Sequence, residues 1–209
     1  MWAVVAVIVV FLVLVLAEYL SRYKGIHSEL TRKFVHVVVG TFVAFWPFFL
    51  SWRQIQFLAL GFLVVVAASI KLDIFRAVHA VRRNTSGEFL FAIVIGLLAF
   101  ITTNPWVFAA AMLHLSIGDG LAAIIGLLWG DDNKYKVFGH TKTVIGSLAF
   151  FFTSLLIVIG YAILSGAPYS ATTIIALPVM ATIAENVAVR GADNLVLPLL
   201  VALVLTSSL

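Results

Sequence analysis

The run Pro105-Trp-Val-Phe-Ala-Ala-Ala-Met-Leu-His114-Leu-Ser-Ile-Gly-Asp119-Gly-Leu-Ala-Ala-Ile-Ile-Gly-Leu-Leu-Trp129 decides how the rest of the chain is read. About 20 apolar residues in helical form cross the hydrocarbon of a bilayer, and this run exceeds that length with a single acid inside it. A carboxylate at mid-bilayer costs about 2.5–3.5 kcal/mol. Asp119 therefore calls for the interior of a helix bundle and a cationic partner. Gly118 and Gly120 flank it. Glycines weaken a helix and let a neighbour approach its backbone, which predicts a broken helix lining a cavity. The plainer alternative is a structural Asp satisfied by an interhelical hydrogen bond.

The rest of the chain has the same character. Of 209 residues, 63% are hydrophobic and 11% charged, and the mean hydropathy is +1.16. A soluble domain carries about a quarter charged residues, so soluble, disordered and collagen-like classes are excluded. The absence of cysteine excludes disulfides, thiolate metal sites and cysteine nucleophiles. Eight candidate spans follow in order: 2–20, 33–50, 54–70, 88–103, 105–129, 143–164, 171–189 and 194–209. They are continuous apolar runs without period-2 alternation, unlike the strands of a membrane barrel. The expected fold is all-α: one polytopic membrane bundle of seven or eight transmembrane helices, a single domain over 1–209. The first run lacks a basic leader and reads as a retained helix rather than a signal peptide.

Charge sets the orientation. With the N-terminus outside, twelve of the 13 Lys and Arg residues fall on the inner side and only Arg53 outside. By the positive-inside rule the polar chemistry faces the cytoplasm. The net charge of +4 then reports topology, and the expected partner is the bilayer, not nucleic acid. The sequence does not determine oligomeric state. Asn104-Pro105 reads as a helix cap followed by a first-turn proline. The basic stretch 71–84 fits an interfacial helix or a solvated extension. Asp131 and Asp132, in a loop over 130–141, are either a second metal ligand or part of a solvated mixed-charge loop.

Four polar clusters gather on the inner side. Glu29, Arg32, Lys33 and His36 share one helix face; they form either a cationic stripe that receives phosphate, with His36 as donor or proton carrier, or ordinary basic flanking. Asp119 is the second cluster. Gly139-His-Thr-Lys142-Thr143-Val-Ile-Gly146-Ser147 opens a helix, where backbone N–H groups, hydroxyls and a lysine make an anion site. Glu185 lies about one turn inside its helix, and Asp193 and Asn194 open the next, where helix capping is the plainer role. A buried Glu185 needs a cation or a metal, and Mg²⁺ takes one or two carboxylates plus phosphates and waters. Acids, cations and an apolar surround together suit phosphoryl transfer to a lipid alcohol.

These motifs resemble the CTP-dependent polyprenol kinase family, which includes dolichol kinases, phytol kinases and yeast-type diacylglycerol kinases. The matching residues are Arg32-Lys33 with His36 and Gly40, Gly118-Asp119 with Ala122 and Gly126, Lys142-Thr143 with Gly146-Ser147, and Glu185 with Asp193-Asn194 and Pro198. Gly87-Glu88-Phe89-Leu90-Phe91 also resembles a family segment. The resemblance implies an integral, multi-pass membrane kinase that uses CTP and Mg²⁺ (or Mn²⁺) to phosphorylate a long-chain isoprenoid alcohol. It implies catalytic roles for Asp119, Lys142 and His36. Nucleotide contacts would come from Arg32, Lys33, Gly118, Lys142, Thr143, Gly146, Ser147 and Asn194. Metal contacts would come from Asp119, Glu185 and Asp193. Many members carry Glu where this chain has Ile145, so the resemblance is nearer to small phytol kinase-like or prokaryotic members. A cytidylyltransferase that makes a CDP-lipid, and a secondary transporter, remain alternatives.

Overall fold

The computed structural model describes residues 1–23, 28–72, 87–167, 170–189 and 191–207. Among them are eight long helices: α1 (Trp2–Tyr23), α2 (Ser28–Ala44), α3 (Trp52–Leu72), α4 (Gly87–Ile101), α5 (Pro105–Trp129), α6 (Val144–Ser165), α7 (Ala171–Val187) and α8 (Asp193–Ser207). Each corresponds to one expected span. The largest shift is at α2, which starts five residues before the expected 33 and ends at Ala44. A short 3₁₀ turn, Trp46–Phe48, follows it. Pro47 explains the stop, because it has no N–H and disfavours helix in the residue before it. Asn104 caps α5 as expected, with its side chain accepting from Trp106 and Val107 N–H.

Among the described residues, four helices are long and apolar enough to cross a membrane: α1, α3, α5 and α6; α4, α7 and α8 are apolar but shorter. Half of the α5 span is buried within the protein, against 17–22% of the other three. That makes α5 the axis of the bundle. It packs against α2, α6 and α8, while α3 packs on α4, α1 on α2 and α7 on α6. Phe108, Met112 and Leu115 of α5 meet Phe150 of α6 and Leu197 and Leu205 of α8 in a fully buried core. The outer surface is also apolar, with Phe57, Phe100, Leu156 and Ile163 exposed, as suits lipid contact.

In a lipid surround, helix association rests on close packing more than on apolar burial. The α5–α6 contact shows how. A Cβ at Gly126 would sit 2.6 Å from Thr143 Oγ1, and one at Gly146 would sit 2.9 Å from the Ala122 carbonyl oxygen. The small residues at 122, 126 and 146 bring these helices together.

One element departs from the expected loop over 130–141. Lys134–Val137 and His140–Thr143 form an antiparallel hairpin, β1 and β2, with Val137 opposite His140. Its two turn residues, Phe138 and Gly139, both have positive φ, 46° and 81°, as in a type I′ turn. Gly139 accepts this conformation freely, whereas Phe138 is held in it with its ring exposed. Lys142 therefore lies on a strand, and Thr143 caps α6 by accepting from Gly146 N–H.

Candidate active site

The site begins with a change in the winding of α5. Over His114–Gly118 the helix widens into a π turn, and Asp119 N–H reaches back to His114 C=O. The helix is not broken, as the flanking glycines had predicted; it runs on through Asp119 to Trp129. A buried His114 accompanies the turn. Its Nδ1 is 2.7 Å from Ala110 C=O and its Nε2 is 2.8 Å from Ser154 Oγ. A carbonyl can only accept, so Nδ1 carries the proton, and in the neutral ring Nε2 accepts from the Ser154 hydroxyl. That pair ties the π turn to α6. π turns inside helices are frequent at functional sites.

Glycines then bring α2 against this turn. A Cβ at Gly40 would sit 2.5 Å from Ser116 Cβ, and one at Gly120 would overlap the Val37 side chain. The close approach lets Lys33 reach Asp119, with Nζ 2.6 Å from Oδ2. His36, one turn on, donates from Nε2 to Leu115 C=O at 2.9 Å, and the same nitrogen is 3.4 Å from Asp119 Oδ2. Asp119 thus has the cationic partner its position requires, and the pair is buried.

A second pair forms beside it. Lys142 Nζ lies 2.5 Å from Glu185 Oε1 and 3.0 Å from the Glu185 carbonyl oxygen. Lys142 stands opposite Tyr135 in the hairpin. The Tyr135 hydroxyl closes a hydrogen-bonded triangle with Ser147 Oγ and Asn186 Oδ1. Adjacent residues of α7 therefore hold adjacent sides of the hairpin. Neither Tyr135 nor Asn186 was expected from the sequence. The available signal was slight: the alternation in Lys-Tyr-Lys-Val ahead of Gly139.

Asp193, the first residue of α8, is the third member. Its Oδ1 is buried and has no hydrogen-bond partner among the described residues, and the charges of Asp119, Lys33, Lys142 and Glu185 all act on it. The structure therefore gathers Lys33, Asp119, Lys142, Glu185, Asp193 and His36 from α2, α5, β2, α7 and α8 into one neighbourhood. Other expected contributors stand behind it. Asn194 donates to Gly87 C=O at 2.8 Å and ties α8 to α4. Gly118 lies against the Phe150 ring and Gly146 against α5. The Thr143 hydroxyl is used in the cap and Ser147 in the Tyr135 triangle. Arg32 lines a cavity beside His36. Glu29 lies in the first turn of α2, whereas Arg190 and most of 71–84 lie outside the described residues.

The donor set is oxygen-rich and suits a hard divalent cation. Among the described residues no three acids or histidines already stand together as a metal cluster. Asp119 and Glu185 are each held by a lysine, and Asp193 has a buried oxygen that a cation would satisfy. The residues fit Mg²⁺ or Mn²⁺ in that sense. Asp131 stands apart from the group. It is exposed and bonded to Lys134 at 2.7 Å, and that ammonium holds its carboxyl below the usual carboxylate range.

No protein-family profile matches the chain, and no solved structure matches it. It is 32% identical over 219 aligned positions to a curated protein described as "Phytol kinase" from Synechocystis sp. (strain ATCC 27184 / PCC 6803 / Kazusa). The alignment covers 98% of this chain and 91% of that relative.

Proposed function

The chain belongs to the phytol kinase-like polyprenol kinase family, and on that premise we propose that it transfers the γ-phosphate of CTP to the hydroxyl of a long-chain isoprenoid alcohol. Phytol, geranylgeraniol and polyprenols are the acceptor class. The observation that carries the reading is the convergence, from five separate elements, of two lysine–carboxylate pairs and a third acid, Asp193, whose buried Oδ1 has no hydrogen-bond partner among the described residues. Phosphoryl transfer asks for such positioning and charge stabilisation more than for covalent chemistry. CTP as donor comes from the family resemblance. The enzyme is a multi-pass membrane protein with seven or eight crossings, its N-terminus outside and its active face cytoplasmic.

In this mechanism the alcohol oxygen attacks the γ-phosphorus. The new O–P bond forms as the bond to the β–γ bridging oxygen breaks, and CDP leaves. Asp119, oriented by Lys33 and beside His36 Nε2, takes the hydroxyl proton. Lys142 leaves Glu185 for the triphosphate, where it acts as a point charge. Lys33 and Arg32 offset the charge growing on the departing diphosphate. Asp193 and Glu185, with Asp119 beside them, would hold Mg²⁺. That ion, when bound, supplies charge neutralisation for the phosphates.

The test is purified protein in detergent with Mg²⁺, γ-labelled CTP or ATP, and a panel of phytol, geranylgeraniol, farnesol, polyprenols and diacylglycerol. The expected result is label in the isoprenoid product, with CTP preferred. Label entering the lipid from the α-phosphate of CTP instead would make the protein a cytidylyltransferase.

A further inference from the structure

A cavity of about 70 Å³ opens between α1, α2, α3, α4 and the start of α8. Arg32, His36, Ser69, Glu88 and Asn194 supply its polar lining, and Val39, Phe62, Val65 and Val66 supply an apolar one. His36 is shared with the Lys33–Asp119 site, since its Nε2 stands 3.4 Å from Asp119 Oδ2. Phe91 also forms part of the wall. Its ring lies 5.3 Å from the His36 ring and 6.0 Å from the Phe62 ring, centroid to centroid. Val65, on the apolar side, is 46% exposed, and its neighbour Val64 is 68% exposed. The cavity therefore runs from the charged site toward an outward apolar face of α3.

We propose that this cavity is the acceptor subsite, and that it holds the isoprene unit next to the reacting hydroxyl. The proposal rests on the lipid-alcohol kinase reading above. Size limits what enters. One water-sized group takes roughly 10–15 Å³ on such a measure, so the cavity accommodates about five heavy atoms, the bulk of one isoprene unit. The rest of a long chain lies along the exposed face of α3 and in lipid. Selectivity then resides in the unit beside the hydroxyl, and chain length beyond it matters little. A polar headgroup would meet Val39, Phe62 and Val66, and its lost hydration would go unmatched.

The test is photolabelling in lipid nanodiscs with geranylgeraniol that carries a diazirine on its first isoprene unit, without nucleotide. Adducts are expected on Val39, Phe62, Val66 or Phe91, competed by unlabelled geranylgeraniol. Val66→Trp fills the cavity and is expected to lower that labelling at least tenfold. It should also raise KM for geranylgeraniol about tenfold with KM for CTP within twofold. Should Val66→Trp fail to fold, Phe62→Ala serves instead, with KM for the alcohol raised about threefold to tenfold and KM for CTP unchanged. Competed adducts only outside this cavity, or equal losses for alcohol and CTP, would overturn the proposal. Labelling and turnover separate the two readings. Competed adducts here without phosphorylation keep the subsite and remove the kinase. Phosphorylation with adducts elsewhere keeps the kinase and removes the subsite.

Discussion

Two lysine–carboxylate pairs lie in one site, yet they are built differently. Lys33 and Asp119 both sit on helices of the bundle, and their side chains are 10% and 9% exposed. Lys142 sits on a hairpin, is 22% exposed, and meets a 6% exposed Glu185 on α7. Glycine-mediated packing of α2 on α5 fixes the first pair. The second depends on a small arm fastened by Tyr135, Ser147 and Asn186. A pair held by helix packing suits a group that must keep one geometry, such as a proton acceptor. A pair held by an arm suits a lysine that exchanges its partner for phosphate.

The largest expected effect comes from the bundle pair. Asp119→Asn should lower transfer by about 10³-fold or more. Lys33→Ala should do the same and also destabilise the fold by roughly 3–5 kcal/mol, the usual result of leaving one buried charge unpaired. Initial rates and thermal unfolding in detergent measure both. Activity near wild type in either variant would reduce this pair to a structural contact. Lys142→Ala comes next. Loss of one donor to the transferring group should lower kcat by about 10²–10³-fold. Its melting temperature should fall by less than that of Lys33→Ala, and an equal fall would erase the distinction between the pairs.

A smaller effect belongs to the arm. Tyr135→Phe removes one corner of a hydrogen-bonded triangle, worth about 1 kcal/mol, or about fivefold in kcat/KM for CTP. A hundredfold loss would mean that the hydroxyl touches substrate directly. Asp131→Asn gives the smallest change. Its ion pair with Lys134 is exposed, and such pairs contribute little. Activity within twofold of wild type is expected, and a larger loss would bring the Asp131–Asn133 turn into the site.

The helices were legible because apolar runs of membrane length have few other readings. The need of Asp119 for a cation was legible from its cost in lipid. Its partner was not, because Lys33 is 86 residues away in the chain and its helix face reads as a stripe that receives phosphate. The π turn was misread as a break because Gly118 and Gly120 also favour an unwound helix. In the structure they answer to the close approach of Phe150 and Val37. The hairpin was missed because two four-residue polar strands carry almost no hydrophobic signal. With it went the Tyr135 and Asn186 contacts, which depend on cross-strand register.

The central claim is that Lys33 and Asp119 form a chemical pair as well as a structural one. Exchanging them, in the double variant Lys33→Asp with Asp119→Lys, tests this most directly. Opposite charges would still face each other, so the melting temperature should recover at least half of what Lys33→Ala loses. The carboxylate would now stand on α2, away from the π turn, and transfer from CTP should stay below about 1% of wild type. Recovery of activity together with stability would contradict the claim and leave the pair as a brace between two helices.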